Sequence, residues 1–370
     1  MLYLFAIIAL ITLILIFFTH YLIFHIIVKV FGITSPVLVN VFRTAAALLP
    51  LSFILASILI NRFNNFFVRL FYATTSTWLG FLTYFFLACV LFYAILYSNK
   101  LFSLNLNHRI LIIALFTAAA AIGIYGLFAA DNVKIKTLDI ALPNLPEAWR
   151  GKTAVFISDL HLGAINNYEF ADRLAEQING LNPDLLFIGG DFFDGQKNID
   201  LNRLARSFGR LNAPAGKFFI TGNHEEFGDN SEFITAITGA GIISLNNQLI
   251  DLNGLQIIGL DYRDAYSRQA FSGLLAGLNI DKNKPSILLR HVPDKIEVAR
   301  EAGISLMLSG HSHKGQLFPI QLIEILFYDG FQYGLKNAGS TQVYTTSGAG
   351  VWGPPMRVLA DPEIVVIKFK

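Results

Sequence analysis

Acidic residues are missing from the first third of this chain: residues 1–130 carry six Lys or Arg and no Asp or Glu. Ion-coupled carriers place carboxylates near the middle of the membrane, so a transporter reading has nothing to rest on. Cysteine is nearly absent as well. Cys89 is the single one, which excludes a disulfide framework and leaves no thiol for chemistry in residues 131–370. That later part holds all 26 acidic residues, is mildly acidic overall and shows no basic stripe, which argues against nucleic acid as a partner. The chain contains no internal repeat and no low-complexity linker.

What fills residues 1–130 is apolar. Four stretches stand out: Leu2 to about Val28, Val37 or Ala45 to Ile60, Trp78 to Tyr97, and Ile110 to Ala130. Most approach or exceed the ~20 residues needed to cross a hydrocarbon core. The first lacks a basic leading region and a small-residue cleavage site, so it reads as a retained helix. Arg43 and Pro50 leave the start of the second open. Trp78, Tyr93 and Tyr97 fall near the ends of the third, as an interfacial belt requires. His20 and His25 are five residues apart and lie on different helix faces, so they read as interface residues and not as a ligand pair. A multi-pass anchor in the cell membrane follows for residues 1–130, with a short hinge at 131–152 and a second domain at 153–370. Its sidedness stays open, because Lys29, Arg43, Lys100 and Arg109 on one side balance Arg62, Arg69, Lys134 and Lys136 on the other.

The second domain is marked by its histidines. All five sit at the ends of apolar runs, mostly beside Asp, Asn or Gly: Asp159-Leu160-His161, Gly222-Asn223-His224-Glu225, His291, and Gly310-His311-Ser312-His313. Gly190-Asp191 closes a further run. The preceding segments (Ala154–Ile157, Leu185–Ile188, Phe218–Ile220, Ile287–Leu289 and Leu306–Leu308) are continuous apolar runs of strand length, the pattern of strands buried on both faces. Between them lie helical periods: Phe170, Leu174 and Ile178; Leu201, Leu204, Ala205, Phe208 and Leu211; and Ile296, Val298, Ala299 and Ala302. The expected fold is an α/β layered domain, central sheets flanked by helices, behind an all-α bundle of about four membrane helices. In such sheets the carboxyl ends of the strands share one edge, where ligands bind. Imidazole nitrogens and carboxylate oxygens together suit Mn, Fe or Zn, and the donors suffice for two ions.

The ordered series Asp-x-His, Gly-Asp, Gly-Asn-His-Glu, a lone His after a strand and Gly-His-x-His resembles the calcineurin-like metallophosphoesterases, from about Thr153 to the C-terminus. The tail Gly348–Arg357, followed by Pro362-Glu363-Ile364, is similar to the membrane-associated branch that includes lipid A precursor hydrolases of the UDP-2,3-diacylglucosamine type. The resemblance implies that Asp159, His161 and His313 hold one metal and Asn223, His291 and His311 the other, with Asp191 bridging. A shared carboxylate and a shared hydroxide offset the repulsion of cations ~3.5–4 Å apart, and the hydroxide is the expected nucleophile. His224 is then the general acid or transition-state donor, and Glu225 the neighbour expected to orient it. The implied activity is hydrolysis of a phosphoester or pyrophosphate. A catalytically degenerate scaffold or regulatory domain is the alternative, but it requires missing ligands and none is missing.

Two further expectations concern substrate. Arg290 precedes one ligand and Lys314 follows another, so each is a candidate for contact with substrate phosphate and equally for a solvated charge or a structural ion pair. The segment Leu317-Phe318-Pro319-Ile320, Leu322-Ile323, Ile325–Tyr328, Phe331 and Tyr333 is either core or, if exposed, a patch beside the site that contacts lipid. The second case points to a lipid-linked phosphorylated substrate. Oligomeric state is open.

Overall fold

A computed structural model describes residues 2–102, 105–196, 198–226 and 229–370. The chain divides into two compact units, Met1–Phe128 with Gly353–Met356, and Ala129–Trp352 with Arg357–Lys370.

The first unit is built on four helices, each long and apolar enough to cross a membrane: α1 (Leu2–Phe31), α2 (Pro36–Arg62), α3 (Phe66–Phe102) and α4 (His108–Asp131). Their sequences are apolar on all sides, as helices facing lipid must be, since every backbone group is satisfied within the helix. The question of where α2 starts is settled by Pro36, whose fixed φ suits the first turn; the helix runs through Pro50 to Arg62. α3 begins twelve residues before Trp78, roughly 18 Å along the axis, so Trp78 is not at a helix end. Its indole donates instead to His20 Nε2 at 3.0 Å, while His20 Nδ1 lies 2.8 Å from the Ile16 carbonyl. His20 is thus a buried, fully bonded packing residue and not an interface residue. Ile26, Cys89, Phe92 and Ile112 form the buried contact among α1, α3 and α4.

The second unit begins with a correction to the expected hinge. Lys134–Ile140 form β1 and pair in parallel with β12 (Glu363–Phe369). The alternation Lys-Ile-Lys-Thr-Leu-Asp-Ile is an edge-strand pattern, and it outweighs the prolines that follow. Trp149, buried in a one-turn 3-10 helix, donates to the Leu252 carbonyl at 2.8 Å, so residues 131–152 belong to the domain.

Two six-stranded sheets follow. The first has the order β1, β12, β2 (Thr153–Ile157), β3 (Leu185–Ile188), β4 (Gly216–Phe219) and β5 (Ile243–Ser244); β2 to β5 are parallel. The second runs β10 (Gly334–Ala338), β11 (Thr341–Thr345), β9 (Leu306–Ser309), β8 (Ser286–Leu289), β7 (Leu255–Gly259) and β6 (Gln248–Leu252), with β11, β9, β8 and β7 parallel. Inward residues Ala154, Phe156, Phe187 and Phe218 of one sheet meet Ile257, Ile287, Leu289, Leu306 and Leu308 of the other in a dry core. The outer face of the first sheet is covered by α5 (Tyr168–Gly180), α6 (Leu201–Gly209) and α7 (Ser231–Gly239). Helices α8 (Arg268–Gly277) and α9 (Ile296–Glu301) cover the second. The expected helical periods fall on α5, α6 and α9, and all five apolar runs fall on strands.

The apolar segment after the last histidine divides. Leu317 is buried and Phe331 packs against the outer layer of the second sheet, but the part between forms α10 (Ile320–Phe327), none of whose residues is buried; Leu326 is 80% exposed and Phe327 76%.

Candidate metal centre

The carboxyl ends of β2, β3, β4, β8 and β9 deliver the expected donors to one place. Asp159 lies two residues past β2, Asp191 three past β3, Asn223 four past β4, and His291 and His311 two past β8 and β9. The chain takes up left-handed backbone at three of these exits, after β2, β3 and β9. φ is +55° at Asp159, +45° at His161, +49° at Asp191, +69° at His311 and +50° at His313, a conformation that costs of order 1–3 kcal/mol per residue and persists only when the surroundings impose it. Two glycines in the motifs serve close approach: a Cβ on Gly222 would collide with the Asp191 carboxylate, and one on Gly310 with Ser158 Oγ and Asp159 Oδ2.

Two donor groups result. In the first, His313 Nε2 lies 3.0 Å from His161 Nε2 and 3.6 Å from Asp159 Oδ1. In the second, Asp191, His291 and His311 converge, with His311 Nδ1 3.2 Å from His291 Nε2 and Asn223 Oδ1 also 3.2 Å from that nitrogen. Asp191 faces both: its Oδ2 is 3.7 Å from His161 Nε2 and 3.2 Å from His291 Nε2. Buried ring nitrogens directed at one another compete for one proton, and a cation among them relieves the conflict. The residues fit divalent metal.

Their ionisation divides the donors. Burial would raise Asp191, but the charge and hydrogen bond of His291 hold it well below the usual carboxylate range. Burial pushes His311 down to about 3, helped by His291, and lowers His313 far below its ordinary value. Metal ligands must be deprotonated, and these three shifts run in that direction. Three other donors run against it: burial raises Asp159; burial lowers His161, but the Asp194 hydrogen bond and the charge of Asp191 outweigh that and raise it; and burial lowers His291, but Asp191 outweighs that and moves it up to about 9. His291 Nδ1 faces the Gly189 carbonyl at 2.8 Å, the arrangement that turns Nε2 toward a metal.

The neighbours are placed less as expected. Glu225 does not orient His224: its fully buried carboxylate accepts from the backbone N–H groups of Asp191, Phe193 and Gly222 at 3.0, 2.9 and 2.8 Å, clamping the β3 and β4 exits together. Burial, reinforced by Asp191, pushes it up to about 7. The carboxylate beside His224 is Asp194, whose Oδ1 lies 3.5 Å from His224 Nδ1 and 3.4 Å from His161 Nδ1. The signal for it was the second acid in Gly190-Asp191-Phe192-Phe193-Asp194. Trp352 stands edge-on to His224, ring centres 5.9 Å apart. Arg290 is buried, its guanidinium donating to the Val292, Asp294 and Ala265 carbonyls and pairing with the Asp294 carboxylate. Lys314 stands over the Tyr333 ring at 4.5 Å. Beside His291 and His311 opens a cleft of about 260 Å³ whose walls include Tyr262, Tyr266, Arg290 and Tyr328.

Sequence comparison agrees with this geometry. A family model described as calcineurin-like phosphoesterase matches residues 152–315. An uncharacterized metallophosphoesterase of Campylobacter jejuni is 32% identical over 276 residues, 74% of this chain and 71% of its own. A transmembrane protein with metallophosphoesterase domain from Danio rerio is 32% identical over 269 residues, 68% of this chain and 61% of that protein. For an uncharacterized metallophosphoesterase of Aquifex aeolicus the identity is 30%, over 97% of its length. The chain therefore belongs to the calcineurin-like metallophosphoesterases. Its four apolar helices and its transmembrane relatives place it among the multi-pass membrane proteins. The match spans less than two thirds of some relatives, 64% for two from Helicobacter pylori and 61% for the Danio rerio protein.

Proposed function

We propose that this protein is a membrane-anchored phosphoesterase of the cell membrane with two divalent ions, Mn, Fe or Zn, that hydrolyses a phosphoester or pyrophosphate bond of a lipid-linked substrate. The observation that carries the hydrolytic reading is Asp191 facing both donor groups, the arrangement a bridging ligand needs. When bound, the ions supply an activated water for in-line attack and neutralise charge on the phosphoryl oxygens. Asp159, His161 and His313 hold one, Asn223, His291 and His311 the other. Asp194, with Oδ1 3.5 Å from His224 Nδ1, stabilises the protonated form of His224, the proton donor to the leaving oxygen. Glu225 keeps the Asp191 loop in place. Lys314, over Tyr333, meets the substrate's outer phosphate, whereas the bonds of Arg290 favour a supporting role under the cleft. Asp191→Asn is expected to abolish turnover of a nitrophenyl phosphodiester in folded protein; near wild-type turnover would show that the site is elsewhere.

The lipid-linked part rests on α10. Tyr328, the residue that caps this exposed apolar helix, lines the same cleft as His291 and His311. Acyl chains on α10 leave the phosphorus within reach of the ions. A UDP-diacylglucosamine-type pyrophosphate is the favoured case. In mixed micelles, kcat/KM for an acylated substrate is expected to exceed that for its deacylated analogue by more than about tenfold, or ~1.4 kcal/mol of transition-state binding. A smaller ratio removes the lipid and leaves the phosphoesterase.

A further inference from the structure

Three tyrosines wall the cleft beside His291 and His311. Tyr262 stands edge-on to His291 with ring centres 6.0 Å apart, Tyr328 edge-on to His311 at 6.4 Å, and Tyr266 completes the aromatic side. No hydroxyl of the three is hydrogen-bonded to another described residue, and those of Tyr262 and Tyr328 are not sealed off by protein. The charged groups of the same wall are already engaged. Arg290 pairs with the Asp294 carboxylate and donates to three carbonyls. Asp261 accepts from the Thr221 hydroxyl at 3.1 Å and from the Arg263 and Asp264 N–H groups at 2.9 and 3.3 Å.

The chemistry of this cleft is therefore that of open hydroxyls on apolar rings. Apart from the donor histidines, Arg290 is the one basic side chain among its described lining residues, so no uncommitted cation stands ready for a second phosphate. Tyrosine combines an apolar body with a polar handle, which matches an uncharged polyol head, a sugar ring or glycerol, with C–H faces and hydroxyls of its own. The volume, about 260 Å³, lies below the roughly 300–1,000 Å³ of complete small-molecule sites. One such head fits; a whole lipid does not.

The surroundings give the cleft a direction. Tyr328 both closes α10 and lines the cleft, so a lipid with its chains on α10 brings its head to the tyrosines and its phosphorus to His291 and His311. The groups proposed for the other end of the substrate lie with the other donor group: His224 is edge-on to His161, ring centres 4.5 Å apart, and Lys314 follows His313. We infer that the Tyr262–Tyr266–Tyr328 cleft holds the polyol head of the lipid, so that the phosphoryl group under attack stays on the lipid and the water-soluble partner departs past His224. This rests on the phosphoesterase reading and its lipid-linked substrate. The oxygen of one water bonds to the phosphorus beside the polyol, and the bond from that phosphorus to the departing oxygen breaks. One proton of the water balances the one His224 gives the departing oxygen; the other is released as the lipid phosphate monoester forms.

The test is hydrolysis of UDP-diacylglucosamine in H₂¹⁸O by the full-length protein in mixed micelles. Attack at either phosphorus of this pyrophosphate gives the same two products, and only the isotope tells them apart. The expected result is ¹⁸O in the diacylglucosamine phosphate; ¹⁸O in the uridine monophosphate overturns the inference and leaves the phosphoesterase intact. If this pyrophosphate is not turned over, binding of the two products to the Mn²⁺-loaded protein decides, wild type against Tyr262→Phe/Tyr328→Phe, which removes two hydroxyls and keeps the rings. The variant is expected to lose about tenfold or more in affinity for the lipid phosphate, from two lost hydrogen bonds, and none for uridine monophosphate. Equal losses, a loss confined to uridine monophosphate, or no loss overturns the inference. Should wild type also fail to hydrolyse a nitrophenyl phosphodiester, the phosphoesterase reading fails and the inference falls with it.

Discussion

His224 and Glu324 separate two roles that burial gives a titratable group. Burial and the nearby His161 lower His224, while Asp191 and Asp194 pull it back up. On the proposed role at the leaving oxygen, His224→Ala is expected to lose ~10²–10⁴ in kcat with both metals retained by elemental analysis; parallel loss of metal would make it a ligand. Glu324, on α10, has one unpartnered buried oxygen, and burial pushes it up to about 8. The folded chain keeps a proton that the unfolded chain releases near the ordinary carboxylate value of 4.5. Its contribution to stability is therefore full below that value and is lost as pH rises towards 8. Glu324→Gln is expected to flatten the fall in melting temperature from pH 5 to pH 8, and superimposable profiles would remove the effect.

The element that departs most from ordinary behaviour is α10. Runs as apolar as Ile320–Phe327 are usually buried, yet Leu322, Ile323, Leu326 and Phe327 all face solvent. The two packed sheets account for this: their inner faces are filled by their own residues, and α5 to α9 cover the outer faces. Replacing Leu326 and Phe327 together by Glu is expected to lower kcat/KM at least tenfold on an acylated micellar substrate and to leave a nitrophenyl ester untouched. Equal losses on both substrates would point to a fold defect. The Glu225 clamp is the opposite kind of feature. It joins the ends of two neighbouring strands, and no pattern along the chain announces that.

The whole molecule couples four apolar helices, acidic only at Asp131, the last residue of α4, to a domain that carries every other acidic residue. Four helices of 30, 27, 37 and 24 residues match or exceed the span of a hydrocarbon core. Detergent is accordingly expected to be required for extraction from membranes. Release of the full chain by alkaline carbonate would exclude integral insertion.

Much of this was legible from sequence because it depends on local pattern: continuous apolar runs marked buried strands, helical periods marked α5, α6 and α9, and the order of Asp, Asn and His blocks at strand ends marked the donors and the family. Parallel strands share one edge, so residues far apart in sequence had to meet there. Other features depended on three-dimensional competition for partners. Glu225 lost His224 to Asp194 because three backbone N–H groups lay nearer its carboxylate. Arg290 became internal because carbonyls and Asp294 closed around it. Trp78 found His20 only when α1 and α3 packed, and the stretch expected to be a hinge became a strand only because β12 supplied its edge. The motif names the side chains, but burial and packing decide which partner each one reaches.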